Sequence, residues 1–485
     1  MKLLLTFALL LCSAKAAIAQ YWDSIGRFSA PPGEYYFDSL DERLYVAGGY
    51  LWYDSSEIHG FGYFESDTLY GLGCGFERVN PPPCQYGKSW THSYSSVREL
   101  IRYKGVLYAT GRFIWAGGQV VNSIAKWGAT DWEPIGQGLM DKAGPIGPGA
   151  EGDGYGFEIY QDTLYLFGEF DSINDVEAHG LAKFDGNKWY PVFGLPRFDS
   201  VSDPNLIMAA KWYHGDLYIG GGFYYQPDTS PPMIDLAKWN DTAWVAVQTG
   251  ITGGVGSYFS TLEIFQDELI VAGGFNPFGN PGCEIGSNIA AWNGSSWDTL
   301  RGGVDGPGHG ALVMDVFAED SAMYVVGAFE TAGGLPCRNI AKWDGSIWCV
   351  LDSVGIDKIG ITEVARVGNS LYISGDFNHI NNNPAYRYAA RFVGDINYNC
   401  QQSLSAEEGR TGPNVQVFPN PVSSLLHIRS EGSIISNAIV YDMQGRKIAA
   451  ATGSNSEWEV KSEIFRRGFM LWKWKRERRF SGRRW

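Results

Sequence analysis

The sequence predicts an all-β protein assembled from seven repeated four-stranded units, and three observations carry that expectation. Glycine supplies 62 of 485 residues, aromatic residues make up 15% and charged residues only 19%, a composition suited to many short strands joined by tight turns. A two-part pattern recurs, Leu-Tyr-x-x-Gly-x-Phe followed by Ile-Ala-Lys-Trp-Asp-Gly-x-x-Trp. Its first half begins at Leu44, Leu107, Leu164, Leu217, Leu269, Met323 and Leu371, with spacings of 63, 57, 53, 52, 54 and 48 residues. A period near 50 is that of a stacked or circular repeat rather than of independent domains.

The elements follow in order. Met1-Lys2, the apolar run Leu3 to Leu11 and Ala17-Ile18-Ala19 form a basic start, a short apolar segment and an A-x-A cleavage pattern. Residues 1–19 are therefore expected to be a signal peptide. Each unit then reads as a meander. The third strand recurs as Phe61-Gly62-Tyr63-Phe64, Ile124-Ala125-Lys126-Trp127, Leu181-Ala182-Lys183-Phe184, Leu236-Ala237-Lys238-Trp239, Ile289-Ala290-Ala291-Trp292, Ile340-Ala341-Lys342-Trp343 and Ala389-Ala390-Arg391-Phe392. Turns such as Asn293-Gly294 and Asp344-Gly345 close its hairpin. A tryptophan opens the fourth strand at Trp132, Trp189, Trp244, Trp297 and Trp348.

The seventh unit has no fourth strand after Phe392, whereas Trp22-Asp23-Ser24-Ile25-Gly26 matches Trp297-Asp298-Thr299-Leu300-Arg301. The strand behind the leader is expected to complete the last unit, which leaves no unpaired sheet edge. Runs such as Ile270-Val271-Ala272-Gly273-Gly274, followed about twenty residues on by Trp292 and then Trp297, resemble the kelch family and the central domain of galactose oxidase. That resemblance implies a seven-bladed β-propeller over residues 20–397, closed by its N-terminal strand. It implies no particular activity.

Residues 398–414 are polar and read as a linker. Beyond them, Phe418-Pro419-Asn420-Pro421 and a strand ending in Asp442-x-x-Gly445-Arg446 resemble the type A sorting domain of type IX secretion cargo, a small β-sandwich, over residues 415–485. The resemblance implies export through the type IX machinery to the outer surface or the medium. The last 16 or so residues depart from that family. Codons for Met470-Leu471-Trp472-Lys473-Trp474-Lys475 can be chosen so that one extra base after Phe469 restores Tyr-Val-Val-Glu-Val-Glu, the alternation the family expects. A single-base deletion is one origin of this tail and a natural basic extension is the other; an altered tail would leave the protein in the periplasm.

Charge and cysteine usage narrow the partners. The chain carries −15; the leader holds two lysines, leaving −17, and residues 461–485 hold ten Lys/Arg against two Glu, so residues 20–460 carry −25. Such a body repels phosphate backbones, and nucleic acid is not expected as a partner. No later stretch of about 18 apolar residues follows the leader, so stable membrane insertion is not expected. Six cysteines remain after the leader, and disulfides are expected between Cys74 and Cys84 and between Cys337 and Cys349. No CxxC pair exists, and Asp171 to Asp175 lacks the Gly and distal Glu of a calcium loop, so no metal or cofactor is expected.

Aromatics that recur in every unit are read as core packing, and His59 and His179, which recur before the third strand, as structural. Candidate binding residues instead lie in the long second-to-third and inter-unit loops, expected to share one face: Trp52, Tyr53, Trp115, Tyr224, Tyr225, Phe278 and His379, beside Asp54, Asp171, Asp175, Asp228 and Asp305. Aromatic and hydrogen-bonding groups on rigidly held loops suit a glycan or protein ligand. No Gly-x-Ser-x-Gly elbow, His-Glu-x-x-His or phosphate loop occurs, so catalytic residues are unassigned. The expected function is a secreted or cell-surface binding module. An extracellular carbohydrate-active hydrolase or lyase, and a structural surface protein, are the alternatives.

Overall fold

The computed structural model describes residues 21–49, 52–54, 56–65, 68–77, 96–141, 150–197, 206–226, 231–247, 258–275, 287–306, 310–351, 356, 360–380, 386–393 and 396, and the strands between 414 and 475. Two compact units divide the chain, Gln20–Asn397 and one that takes in Tyr398–Trp485. The described residues are all-β apart from one 3₁₀ turn at Leu300–Gly302. None of them forms a helix long and apolar enough to cross a membrane.

The larger unit is made of many small antiparallel sheets, and among its described residues seven four-stranded sheets share one strand order. The second is typical: Ser96–Tyr103, Val106–Arg112, Ile124–Trp127 and Trp132–Pro134 pair in chain order. The same order recurs in the sheets that begin at Pro32, Asp153, Ile207, Tyr258 and Leu312, and the sheet that begins at Ile361 follows it through three strands. Second strands such as Leu107 to Gly111 are buried on both faces, because each sheet packs between two others. Recurring tryptophans fill those layers: Trp127 and Trp132, Trp239 and Trp244, Trp292 and Trp297, and Trp343 and Trp348 pack ring to ring at 4.9–5.8 Å.

The motif glycine has a specific cause. Every first strand carries a bulge at the same place, between Pro32 and Glu34, Val97 and Glu99, Gly154 and Gly156, Ile207 and Ala209, Phe259 and Thr261, Val313 and Asp315, and Ile361 and Glu363 along the paired registers. The bulge presses a carbonyl against the second strand. A Cβ at Gly273 would lie 2.2 Å from the Tyr258 carbonyl oxygen and one at Gly327 2.1 Å from that of Leu312, so only glycine fits.

The first strand of each sheet lies against the first strand of the next, and that of the seventh sheet lies against that of the first. The seventh sheet is built from Ile361–Val367, Ser370–Gly375, Ala389–Val393 and the N-terminal strand Tyr21–Asp23. Trp22 stands opposite Phe392, as the repeat pattern places it, with its ring edge-on at 5.2 Å. Arg391 pairs with Asp23 at 2.7 Å, and the Tyr386 hydroxyl donates to the Trp22 carbonyl.

Several crossings between second and third strands form small hairpins of their own. Trp115–Ala116 pairs with Gln119–Val120 and with Phe76–Glu77 of the preceding connection. Ser172–Ile173 and Thr331–Ala332 do the same against Leu139–Asp141 and Val304–Asp305. At these three junctions the second-to-third crossing and the inter-sheet connection therefore meet on one side.

In the C-terminal unit, Asn414–Phe418, Leu425–Glu431 and Glu457–Lys461 form one three-stranded sheet, and Lys447–Asn455, Ile435–Asp442 and Met470–Lys475 another. The atypical tail thus still adds a strand, with Met470 opposite Asp442.

Candidate functional site

The loop candidates divide on burial. Tyr53 is a correction: it is 6% exposed, donates its hydroxyl to the Ile25 carbonyl at 2.6 Å and packs edge-on against Phe28 and Phe64. The segment behind the N-terminal strand folds over it and turns a loop aromatic into core. Tyr224 is 43% exposed, whereas Trp115, Tyr225 and His379 are partly buried. Trp52 lies in a two-residue strand, and Phe278 lies outside the described residues, as does Asp228. The remaining loop acids hold loops in place. Asp54 accepts the Arg27 N–H, Asp305 accepts the Gly306 N–H, and Asp171 is buried and faces Arg197 at 3.5 Å.

The cysteines also differ from expectation. Cys337 is a buried free thiol, its pKa pushed up to about 12 by burial. The expected bridge to Cys349 is ruled out by register: Cys349 stands opposite Lys342, so the rung facing Cys337 lies about five residues, or roughly 16 Å, further along. No disulfide joins two described residues, and neither Cys74 nor Cys349 is a free thiol. Cys84 lies outside the described residues, as do residues 1–19, Pro419, Asn420, Pro421, Gly445 and Arg446. Phe418 and Asp442 end strands.

A feature that sequence reasoning missed lies along the first strands. At the position just after the bulge stand Glu34, Glu99, Asp315 and Glu363, in the first, second, sixth and seventh sheets. Two residues further along stand Glu158, Lys211 and Glu263, in the third, fourth and fifth. The first strand of a sheet has one edge without a strand partner, and these carboxyls cap it. Glu99 accepts the Phe157 N–H at 2.7 Å, Glu158 the Trp212 N–H at 3.3 Å and Asp315 the Val364 N–H at 3.0 Å, each from the neighbouring sheet. Glu34 takes the Leu100 N–H in the same way. Each bond stitches one sheet to the next.

Burial makes these groups proton-holding. It pushes Glu99 up to about 8, despite the Phe157 N–H and Lys211, and Asp315 to about 6, despite the Val364 and Val316 N–H groups. Glu34 and Glu363 are held well above the usual carboxylate range by burial and then by neighbouring acids, and Asp315 and Glu363 share a hydrogen bond. For Lys211, burial favours the neutral amine, but Glu263 at 3.2 Å and Glu158 at 3.6 Å outweigh it and raise its pKa. Among the described residues no group of three or more His, Cys, Asp or Glu is arranged to hold a metal ion.

Between the second and third sheets a cleft of about 620 Å³ opens, with Tyr108, Phe184 and Trp189 on one side and Lys126, Asn187 and Lys188 among its polar groups. The turn that carries Asn187 and Lys188 is fixed by Asp185, whose carboxylate accepts both of their backbone N–H groups at 2.7 and 2.8 Å and is held below its usual range by those bonds.

Residues 416–476 match the family of secretion system C-terminal sorting domains. The chain therefore carries a type IX secretion sorting signal, which implies contact with that machinery and export to the cell surface or beyond it. Solved structures similar to this chain include the computationally designed Ika8 protein, at 10% identity over 75% of this chain and 89% of that one, TM-score 0.32. PorZ, a surface component of the type IX secretion system of Porphyromonas gingivalis, aligns at 11% identity over 89% of this chain and 72% of its own, TM-score 0.24. A copper-bound fungal alcohol oxidase of the AA5 family aligns at 11% identity over 90% of each chain, TM-score 0.38. No curated protein sequence matches the chain.

Proposed function

We propose that the chain is a secreted or surface-displayed binding module, a closed seven-bladed β-propeller that takes a glycan or protein ligand on the face where second-to-third crossings and inter-sheet connections meet. The observation that carries this reading is the union of an export signal with a repeated, rigid scaffold whose variable segments gather on one side. Loops on such a scaffold vary without disturbing the packed layers, and Tyr224 offers an exposed aromatic there. Leader cleavage after Ala19 and passage through the type IX machinery complete the proposal. A glycan array and a surface-protein pull-down with the mature chain test it. Ligand capture that weakens in Tyr224→Ala supports the reading, and capture of nothing by either method overturns it.

A further inference from the structure

Three arginines on the strands of the larger unit are each held by a carboxylate of their own. Arg102 donates to Asp38, Arg366 to Glu319 and Arg391 to Asp23. Arg98 and Arg112 differ from these, and they stand together. Arg98 occupies the bulge of the first strand of the second sheet, and Arg112 ends the second strand of that sheet on the rung opposite Ser96. Both face Asp153, which opens the first strand of the third sheet. Its Oδ2 lies 3.8 Å from Arg98 Nη2 and 3.4 Å from Arg112 Nε, and neither contact is a hydrogen bond. Arg98 Nη1 and Arg112 Nε are buried with no acceptor, so two guanidinium groups share one distant anion.

The pair is positioned and reachable. The Arg98 guanidinium lies over the Tyr155 ring, 3.6 Å from its centroid, and Tyr155 occupies the bulge of the third sheet. A guanidinium held this way spends its flat face on the ring and keeps its N–H edge for an acceptor. The Arg98 side chain is 27% exposed and that of Arg112 44%, so a ligand can approach both. Arg112 ends the strand from which the crossing that carries Trp115 and Val120 departs, which puts the pair at the crossing end of its sheet. Tyr258, on the first strand of the fifth sheet, is half-buried, and burial and then the nearby Tyr155 raise its pKa. Two N–H forks around one point match the two oxygens of a carboxylate, and two phenol hydroxyls suit a ligand that also carries hydroxyls. The −25 carried by residues 20–460 opposes a ligand of many negative charges.

We infer that Arg98 and Arg112 form a subsite for the carboxylate of a singly charged sugar acid, a uronate, with the Tyr155 and Tyr258 hydroxyls available to its ring hydroxyls. The inference rests on the reading of the crossing face as a glycan-binding surface and deepens it by naming the ligand class. Asp153 then has two effects: it holds the arginines near one another, and its charge competes with that of the ligand.

The test is ligand-observed NMR titration of the mature chain with glucuronate, galacturonate and mannuronate, each matched to its neutral parent glucose, galactose or mannose, and with acetate and trigalacturonate. The proteins are wild type, Arg112→Gln, Arg112→Lys, Asp153→Asn and Lys188→Ala, the last removing a charge from a third-to-fourth turn. At least one sugar acid is expected to bind about tenfold more tightly than its neutral parent and than acetate. Arg112→Gln should weaken it about tenfold, and Arg112→Lys, which keeps the charge but not the fork, about threefold. Asp153→Asn should tighten it about threefold, a gain that misfolding cannot imitate, and Lys188→Ala should stay within about twofold of wild type. Neutral sugars that bind as well as the acids overturn the carboxylate subsite, and acetate that matches the acids overturns the sugar class. Tighter binding of trigalacturonate overturns the single charge, and equal losses in Lys188→Ala and Arg112→Gln reduce the effect to bulk charge and overturn the site. If no sugar acid binds while a glycan array still captures the chain, the inference fails alone; if the array also captures nothing, the glycan reading fails with it. Thermal melts of each variant separate loss of fold from loss of site.

Discussion

Replacing Glu99 with glutamine isolates the proton held at the junction of the second and third sheets. In the folded chain the Glu99 carboxyl sits at about 8 against an ordinary 4.5, so the native state binds the proton more tightly than the unfolded chain. Stability from this group is complete below the unfolded value and is lost as pH rises toward the folded one. A displacement of roughly 3.5 units at about 1.4 kcal/mol each sets a ceiling near 5 kcal/mol. Glu99 is only partly buried, and water at its open surface trims that to about 2–3 kcal/mol. Glutamine keeps an oxygen to accept the Phe157 N–H and has no proton to lose. For a unit of roughly 380 residues the unfolding entropy is about 0.8 kcal/mol per degree, so the predicted gain is roughly 3 °C in Tm. Thermal unfolding of wild type and Glu99→Gln at pH 5, 7 and 9 reads it directly. The two should match at pH 5 and separate in favour of the variant as pH rises. A difference that stays flat, or reverses, would refute a proton-holding Glu99.

Four further outcomes follow from the geometry. Lys211→Met leaves Glu158 and Glu263 without their shared cation and should cost about 3–5 kcal/mol at pH 8, much less at pH 5, in denaturant melts at the two pH values. Trp22→Ala empties a site 5% exposed and should cost about 3–5 kcal/mol, with the earliest amide exchange appearing in Ala389–Val393; unchanged exchange there would contradict the closing role of the N-terminal strand. Gly273→Ala, whose Cβ meets a carbonyl, should lower Tm clearly more than Gly105→Ala, which has open space and bears only its positive φ, worth about 1 kcal/mol. Independent sequencing across codons 468–472 should reveal the missing base if the tail is frame-altered, and restoring Tyr-Val-Val-Glu-Val-Glu should then raise secretion; an unbroken frame with efficient export would remove the idea.

Much of the fold was legible because its causes are local and repeated. Leu-Tyr-x-x-Gly records a doubly buried strand ending at a bulge, and the match of Trp22 to Trp297 located the strand that joins Phe392. The inner carboxyls escaped notice for a physical reason. An acid on a strand reads as solvent-facing, and their shared role depends on a two-residue offset between Glu34, Glu99, Asp315 and Glu363 on one side and Glu158, Lys211 and Glu263 on the other. Tyr53 was misplaced because its cover, Ile25 and Phe28, comes from a different segment. The Cys337–Cys349 pairing relied on sequence proximity, which says nothing about rungs along a ladder.

The partnership of Trp22 with Phe392 also sets an order of events. Six sheets are made from consecutive stretches of chain and can form as each stretch becomes available, whereas the seventh needs residues about 370 positions apart. A chain whose first residues are held elsewhere cannot seat that strand, so freedom of the Tyr21–Asp23 segment and completion of the architecture become a single coupled step.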